Sequence, residues 1–292
     1  MTQRAPTSGP APWIPVLVFL LAVALVWPVA ETGVIDDWSY ARTAELLAAT
    51  GHIHYNGWAT AMLGWPLYPA ALAVRMFGFS FTAIRCTTIL EACFALWLTH
   101  RTFTLVGLPR RSATLGTLTV VFAPVFLLLS VSFMSDIPGY LAVILCLFCC
   151  LRALLAESSR GQLAWLIGAA LSNAVLGTAR QIAWLGVLVM VPCTLWLCRR
   201  RREVLIPGLL ACLLGWTIML LSLHWFSVQP YIVPEHLVRQ HIGTGAWDSI
   251  LDFVVRVTLD LALFSLPVVV LFLSRLRGRR SLAVAGVFLL AV

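Results

Sequence analysis

Long apolar runs alternate with short polar segments along the whole chain, and this pattern predicts membrane-spanning helices. A helix needs about 20 predominantly apolar residues to cross a bilayer. The predicted spans are residues 13–30, 82–100, 113–131, 138–155, 162–179, 182–198, 204–225, 251–273 and a last run that begins at Ser281. The short alternating segments typical of a membrane β-barrel are absent from the sequence. We therefore expect an all-α fold, a polytopic bundle of transmembrane helices.

The last apolar run ends with the chain after only 12 residues, 281–292. A helix of that length measures roughly 18 Å, against a hydrocarbon core of about 30 Å. We therefore predict about eight complete spans and a truncated ninth. The prediction for the whole chain, 1–292, is a single transmembrane domain that is truncated at its C-terminal end.

The distribution of arginine decides whether the moderately apolar stretch 59–78 crosses the membrane. The chain has no lysine, so arginine carries its positive charge, and arginine is enriched in the cytoplasmic loops of membrane proteins. If 59–78 does not cross, 14 of the 20 arginines fall on one side. These are Arg4, Arg101, Arg110, Arg111, Arg152, Arg160, Arg199 to Arg202, Arg275, Arg277, Arg279 and Arg280. We therefore predict a cytoplasmic N-terminus and one long external loop, 31–81.

The external loop 31–81 is too long and too structured to be a simple connection. Its helix signals predict two surface helices, at about 37–50 and 65–77. Asp37 is expected to cap the first helix at its N-terminus, and Gly51 is expected to end it. We interpret these helices as lying along the membrane surface instead of crossing it.

Composition supports a membrane protein and gives no sign of a nucleic-acid surface. Hydrophobic residues make up 61% of the chain and charged residues 11%, whereas charged residues are near a quarter of a soluble domain. The arginines lie between apolar runs, which suits membrane orientation better than nucleic-acid binding. Three of the eight cysteines, Cys146, Cys149 and Cys150, imitate a metal-binding spacing without acidic or histidine neighbours. We interpret them as packing residues within a helix.

Three carboxylates are predicted to lie at the external face. Asp36 and Asp37 begin the first loop, and Asp136 lies in the turn between the third and fourth spans. Each has a structural interpretation, because aspartate is a common helix cap and Pro138 suits the first turn of a helix. Carboxylates at membrane level are costly unless they are hydrated or paired, so two acidic turns on one face indicate a polar cavity. Asp36 and Asp37 are also the candidate ligands of a divalent cation, Mg²⁺ or Mn²⁺, although the sequence leaves the presence of a metal open.

Three basic side chains are candidates for binding a phosphate on the same face. Arg180 interrupts an apolar stretch in a tight turn, where its guanidinium suits bidentate binding of a phosphate. The alternative for Arg180 is a structural ion pair with one of the aspartates. Arg85 also suits a side chain that reaches out from the end of a span, and His52 suits a polar loop residue at the membrane interface. No glycine-rich nucleotide loop is present, so a site at membrane level indicates a lipid-borne substrate.

These residues resemble a known family, the polytopic glycosyltransferases that use lipid-linked sugars. The class, known as GT-C, includes protein O-mannosyltransferases and the aminoarabinose transferases of lipid A, and the likeness is to the bacterial branch, glycosyltransferase family 39. The matching motifs are Asp36-Asp37-Trp38-Ser39-Tyr40, Phe77-Gly78-Phe79-Ser80 followed by Arg85, Phe133-Met134-Ser135-Asp136-Ile137-Pro138 and Thr178-Ala179-Arg180-Gln181. They cover about residues 13–200. The family often has Asp-Glu where this chain has Asp36-Asp37.

The resemblance implies a membrane enzyme with its active site on the external face of the bacterial inner membrane. Asp36 corresponds to the catalytic aspartate of the first loop and Asp136 to the second acidic loop residue. The implied donor is a polyprenyl-phosphate-linked sugar, a hexose or a pentose, and the acceptor is a lipid, a glycan or a protein.

The leading hypothesis is transfer of that sugar, with Asp36 as the general base. Asp37 or Asp136 would orient the acceptor or hold a divalent ion. Arg180, helped by Arg85 or His52, would stabilise the phosphate leaving group. The alternative is a transporter or flippase of lipid-linked sugars, which predicts polar residues near mid-span, often in broken or repeated helices. The predicted spans are largely apolar and the polar residues gather at one face, which suits an interfacial enzyme better. A purely structural subunit does not account for a first loop that carries two surface helices.

Overall fold

The computed structural model describes residues 11–58, 64–199, 201–233, 255–256 and 258–259. Within these ranges the secondary structure is entirely helical, as the sequence predicts. The α-helices are α1 (Ile14–Val26), α2 (Asp37–Thr50), α3 (Leu67–Phe77), α4 (Phe81–Leu105), α5 (Arg110–Val121), α6 (Pro124–Ser130), α7 (Asp136–Leu155), α8 (Ser159–Leu176), α9 (Val191–Cys198) and α10 (Arg202–Ser227).

Among the residues that the structure describes, five helical segments are long and apolar enough to cross a membrane. They are Phe81–Leu105, Asp136–Leu155, Ser159–Ala179, Gln181–Cys198 and Arg202–Ser227. They coincide with the predicted spans 82–100, 138–155, 162–179, 182–198 and 204–225. The chain is therefore an integral membrane protein with a polytopic helical fold.

The first and third predicted spans, 13–30 and 113–131, differ from the structure. Helix α1 has only 13 residues, which is roughly 20 Å of helix and short of a full crossing. The third predicted span is two helices, α5 and α6, which meet at an angle of 68°. Pro124 begins α6, and because proline has no N–H and clashes with the preceding turn, it prevents one continuous helix. If this bent pair crosses as one broken span, up to six spans lie in the described region.

Two further predictions fall outside the described residues. The run that begins at Ser281 lies wholly outside them, and 251–273 is described only at 255–256 and 258–259. Contacts divide the chain into one compact unit, Met1–Pro234, and a second, Glu235–Val292. Most of the second unit also lies outside the described ranges. A single truncated domain over 1–292 therefore stays a prediction.

The segment that connects α8 to α9 departs from regular α-helix. It consists of two 3₁₀ turns, Gly177–Ala179 and Gln181–Trp184, and a π-helical stretch, Gly186–Met190. The buried Asn173 side chain explains the departure, because its Nδ2 donates to the Ala183 oxygen at 3.1 Å and its Oδ1 accepts from a backbone N–H at 2.8 Å. The amide thus satisfies backbone groups that a regular helix would pair internally.

The first loop contains the two predicted helices, now α2 and α3. Helix α2 spans the predicted residues, and Gly51 ends it with the positive φ of +76° that glycine tolerates. The predicted cap, Asp37, is corrected: Asp36 occupies the N-cap position, Asp37 is the first helical residue, and neither caps the helix in the expected way. Helix α3, with 11 residues, is too short to cross.

The first loop and several helix ends lie at one end of the bundle, which we call the loop end. Arg85, at the start of α4, binds the segment that follows α1. Gly64 donates its N–H to the Thr178 oxygen, beyond α8, at 3.0 Å. Tyr55 packs edge-on against Phe226 at the end of α10, with ring centroids 5.3 Å apart. The loop is therefore fastened to α4, α8 and α10 at one end.

The other end of the bundle, which we call the arginine end, carries the connections between α4 and α5, α7 and α8, and α9 and α10. These connections and their flanking turns contain Arg101, Arg110, Arg111, Arg152, Arg160, Arg199, Arg201 and Arg202. The arginines thus cluster opposite the first loop, as the charge pattern requires. That this end faces the cytoplasm stays a prediction.

The largest buried cluster lies between α7, α8, α9 and α10 and contains most of the cysteines. Cys146, Cys149, Cys150, Cys198 and Cys212 are free thiols packed there. Their neighbours include small residues such as Ala169 and Ala170, which allow close approach of helices. The predicted packing role of Cys146, Cys149 and Cys150 is confirmed.

Candidate functional site

Asp37 and Arg85 form a buried ion pair at the loop end. Asp37 is inaccessible to solvent and Arg85 is only 4% exposed. The Asp37 Oδ2 accepts from Arg85 Nε at 3.0 Å and from Arg85 Nη2 at 2.7 Å. The other Asp37 oxygen accepts the backbone N–H of Val34. Both oxygens of Asp37 are thus engaged inside the protein.

Arg85 also holds the chain between α1 and α2. Its Nη1 donates to the Ala30 oxygen and its Nη2 to the Thr32 oxygen, each at 2.7 Å. Its guanidinium further lies 5.2 Å from the centre of the Phe81 ring. With these partners and the Asp37 carboxylate, Arg85 has little hydrogen-bonding capacity left for a ligand. The geometry is that of a clamp between the first loop and α4.

Glu31 fastens the same segment to the start of α4. Its carboxylate accepts the Ser80 hydroxyl at 2.9 Å and the backbone N–H groups of Phe81 and Thr82 at 2.8 and 3.2 Å. These are N–H groups that have no partner within the helix. Hydrogen bonds from Thr82 and Ser80 to the ionised carboxylate lower the pKa of Glu31 to about 2.

This lowered pKa predicts a pH-dependent contribution of Glu31 to stability. A carboxylate with a lowered pKa stabilises the folded state above its unfolded pKa of about 4.5 and loses that contribution as the pH falls toward 2. Glu31→Gln is therefore expected to lower the melting temperature at pH 7, and the difference from wild type should shrink below pH 4.5.

The measurement is tryptophan fluorescence during heating of the detergent-solubilised protein between pH 7 and pH 3. The control is Glu45→Gln, which removes a carboxylate of α2 that pairs with Arg42 one turn earlier on that helix. A difference between wild type and Glu31→Gln that persists unchanged at pH 3 would contradict the prediction.

Asp36 is half-buried and keeps one oxygen without a partner among the described residues. Its Oδ1 accepts the indole N–H of Trp58 at 2.9 Å. The Trp58 ring lies against Trp38, with centroids 5.5 Å apart. Asn56 supports this arrangement, because its Oδ1 accepts from the Trp58 N–H at 3.2 Å and from the Ser39 hydroxyl at 2.8 Å. Asp36 is thus positioned by the loop and still partly open to solvent.

Asp136 and Arg180 form a second ion pair, which is much more exposed than the first. Arg180 Nη1 lies 2.8 Å from Asp136 Oδ1, and the two side chains are 44% and 29% exposed. The same Nη1 donates to the Ser135 hydroxyl at 3.1 Å. Ser135 occupies the N-cap position of α7 and Asp136 its first helical position, which corrects the alternative that Asp136 is the cap.

A cavity of about 250 Å³ adjoins this second pair. Asp136 and Arg180 lie on its wall, and apolar residues such as Val143 and Ile182 supply most of the remainder. Gly139 makes room for the arginine, since a Cβ there would lie 3.3 Å from the Arg180 Cβ. The cavity therefore combines an accessible guanidinium with an apolar wall.

The first loop closes onto the turn that carries Arg180. The Trp65 N–H donates to the Thr178 hydroxyl at 3.1 Å, and the Trp65 indole donates to the Leu176 oxygen at 2.9 Å. Gly64 approaches the same threonine so closely that a Cβ would lie 2.5 Å from its hydroxyl oxygen. The loop that positions Asp36 is thereby attached two residues before Arg180.

The structure joins some of the predicted site residues and leaves others apart. Asp37 pairs with Arg85 and Asp136 pairs with Arg180. Asp36 bonds to Trp58 instead of to any of these four. His52 is exposed, and the bonds described for it are between its backbone and the Thr50 hydroxyl. A role for His52 in binding phosphate stays a prediction.

The described residues contain no group of three or more histidine, cysteine or acidic side chains that is arranged to hold a metal. Asp37 uses both of its oxygens within the protein. Of the two predicted ligands of a divalent cation, only the carboxylate of Asp36 is therefore available. The presence of Mg²⁺ or Mn²⁺ stays an untested prediction.

Sequence reasoning missed three residues that the structure makes prominent. Glu31 and Asn56 act only through contacts across the loop, which no sequence spacing reveals. The sequence does contain a signal for Glu91, because it is an acidic residue within an apolar run. It is 8% exposed, and neither of its oxygens has a hydrogen-bond partner among the described residues. A buried carboxyl group without partners is costly when ionised.

Comparisons with known proteins bear on the fold. No family model matches the chain, and no curated protein matches its sequence. Among solved structures, the fold is similar to that of ArnT from Cupriavidus metallidurans in the apo state, with a TM-score of 0.54 and 17% identity. The match covers 73% of this chain and 42% of the ArnT chain. This chain thus shares a polytopic helical fold with ArnT and spans less than half of that protein's length.

Proposed function

We propose that this protein is a membrane glycosyltransferase of the GT-C type that takes its sugar from a polyprenyl-phosphate donor. The observation that carries the proposal is the fold shared with ArnT, and the motifs that resemble the lipid-linked-sugar glycosyltransferases agree with it. The available carboxylate of Asp36 and the accessible guanidinium of Arg180 at one end of the bundle support it. In this proposal the loop end faces the outside of the bacterial inner membrane.

Asp36 is the proposed general base. The acceptor hydroxyl or amine attacks the anomeric carbon, the bond from that carbon to the phosphate oxygen breaks, and the phosphate leaves with the electron pair. Asp36 takes the proton that the acceptor loses. The Trp58 indole holds one oxygen of Asp36, which leaves the other for the acceptor.

Arg180 is the proposed ligand of the donor phosphate. As the bond to the anomeric carbon breaks, negative charge grows on the phosphate, and a fixed guanidinium stabilises it. Asp136 and Ser135 both contact Nη1 of Arg180, so the remaining N–H groups are available for phosphate. The apolar wall of the adjoining cavity suits the first part of the lipid tail.

Asp37 and Arg85 act in this proposal as positioning residues. Their burial and their bonds to Val34, Ala30 and Thr32 suit a clamp that sets the position of Asp36, the neighbour of Asp37. The roles that the sequence suggested for them, orienting the acceptor and binding phosphate, would require the clamp to open. The acceptor is proposed as a lipid, a glycan or a protein.

The test is transfer of a labelled sugar from its polyprenyl-phosphate carrier by the protein in proteoliposomes. Arg180→Gln is expected to raise the KM for the donor by about tenfold. A hydrogen bond to a charged group contributes about 1.5–3 kcal/mol, and solvent exposure favours the lower value, which corresponds to about a factor of ten. Arg180→Lys keeps the charge without the bidentate geometry and should recover part of the affinity.

The control is Arg42→Gln, which removes an exposed arginine of α2 that pairs with Glu45 on the same helix. It should leave the KM unchanged. Movement of the labelled lipid across the membrane without transfer would contradict the proposal and favour a flippase.

A further inference from the structure

A second cavity lies at the arginine end, far along the helices from the candidate active site. Its volume is about 410 Å³, and it is lined by Arg152, Leu155, Ala156, Glu157, Ser158 and Trp165. These residues form the end of α7, the turn to α8 and the second turn of α8. Both helices are long and apolar enough to cross the membrane. A cavity at their shared end therefore lies at the level of the lipid headgroups.

The cationic side of the cavity is Arg152. Its guanidinium carbon lies 5.0 Å from the centre of the Trp165 ring, an arrangement that orients the side chain without using its N–H groups. No hydrogen bond joins these N–H groups to any residue within the described ranges. They are available to a phosphate, which a guanidinium binds in bidentate fashion.

The anionic side of the cavity is Glu157. Its carboxylate lines the same cavity as Arg152, yet the two side chains do not pair with each other or with another described residue. The backbone of Glu157 is held, because its oxygen accepts Nη1 of Arg201 at 2.9 Å. An unpaired cation and an unpaired anion thus face one cavity, and its remaining wall includes Leu155, Ala156 and Trp165.

We propose that this cavity binds the phosphoethanolamine headgroup of a membrane phospholipid. The phosphate would bind Arg152 and the hydroxyl of Ser158, and the ammonium group would bind Glu157 through charge-assisted hydrogen bonds. Basic pockets between transmembrane helices are known to take phospholipid headgroups. Glu157 distinguishes this cavity from a purely basic pocket, because it adds a partner for a positive group.

The same chemistry disfavours the other common headgroups. Phosphocholine carries a quaternary ammonium without N–H donors, so it cannot donate a hydrogen bond to Glu157. Arg152 already covers the face of Trp165, which prevents that face from holding the choline by a cation–π contact. Phosphoglycerol has no positive group and brings only neutral hydroxyls to the carboxylate, which form weaker bonds.

The experiment is native mass spectrometry of the full chain, delipidated in detergent and offered equal amounts of three phospholipids. Dioleoyl phosphatidylethanolamine, phosphatidylcholine and phosphatidylglycerol differ only in their headgroups. We expect the ethanolamine lipid to be retained about tenfold over the choline lipid, the ratio that corresponds to 1.4 kcal/mol. Arg152→Gln should reduce retention of the ethanolamine lipid about tenfold.

Glu157→Gln separates headgroup selection from phosphate binding. It should remove the preference for the ethanolamine lipid over the glycerol lipid while phosphate binding by Arg152 persists. Arg160→Gln is the matched control, because Arg160 is an exposed arginine of α8 that does not line the cavity. Equal retention of all three lipids, or retention unchanged by both cavity substitutions, would overturn the proposal. Neither result depends on the activity at the loop end.

Discussion

Asp36→Asn is expected to reduce sugar transfer by about 10²–10⁴-fold, the usual contribution of a general base. Asparagine keeps the shape of aspartate and an oxygen that can accept the Trp58 indole N–H, so the loop should retain its structure. It cannot take the proton of the acceptor, because the amide oxygen is a far weaker base than a carboxylate. The measurement is the initial rate of transfer from a labelled polyprenyl-phosphate sugar in proteoliposomes.

Two controls show whether a lower rate comes from the loss of the base and not from a change in folding. The melting temperature of Asp36→Asn should stay close to that of wild type, since the side chain is half-buried and bonds to Trp58 alone among the described residues. Glu45→Gln, on the exposed surface of the same helix, should leave the rate unchanged. Transfer at the wild-type rate by Asp36→Asn would remove Asp36 from the mechanism.

Asp37→Asn is expected to destabilise the protein by about 3–5 kcal/mol, the usual cost of removing one partner of a buried ion pair. The cost arises because Arg85 keeps its charge in a site that is closed to solvent. The same substitution at the adjacent residue, Asp36, should have little effect on stability. The measurement is the shift of the denaturant unfolding curve of the solubilised protein.

A second substitution tests the physical reason for this cost. Adding Arg85→Met to Asp37→Asn removes the uncompensated charge, so the double variant should be more stable than Asp37→Asn alone. The exposed pair of Arg42 and Glu45 is the comparison, and its loss should cost about 0–1 kcal/mol. An Asp37→Asn protein as stable as wild type would show that the pair is not a structural clamp.

The adjacent residues Asp36 and Asp37 thus have different environments, although their side-chain chemistry is the same. A helix changes direction by 100° at each residue, so Asp37 turns into the protein toward Arg85 while Asp36 stays at the surface. The sequence interpretation preferred Asp36 as the base and made Asp37 the helix cap. The helix cap was wrong, and the structure gives Asp37 a buried ion pair instead.

The sequence also left two alternatives for Arg180, a phosphate ligand and an ion pair with an aspartate. The structure contains the ion pair, with Asp136. The pair is exposed, and it lies beside a cavity. An exposed pair is weak enough for a phosphate to compete for the same guanidinium, so the ion pair and the proposed phosphate site are compatible.

The sequence by itself determined the fold class, the five long spans of the described region and the presence of two helices in the first loop. These features follow from local properties. The length of an apolar run determines whether its helix can cross the membrane, and Gly51 ends α2 whatever that helix packs against. The charge pattern also placed the arginine-rich connections at one end. Two predicted spans were wrong: α1 is shorter than predicted, and the third span is two helices, α5 and α6, with a bend of 68° between them.

The tertiary structure alone decided which charged groups meet. Asp37 and Arg85 are 48 residues apart in the chain, and Asp136 and Arg180 are 44 apart by their numbers. Composition and periodicity are local and cannot select one partner among several arginines on the same face. Packing of α4 against the first loop, and of α7 against the turn after α8, brings each pair together. That packing buries Asp37 and leaves Asp36 and Arg180 partly exposed to solvent.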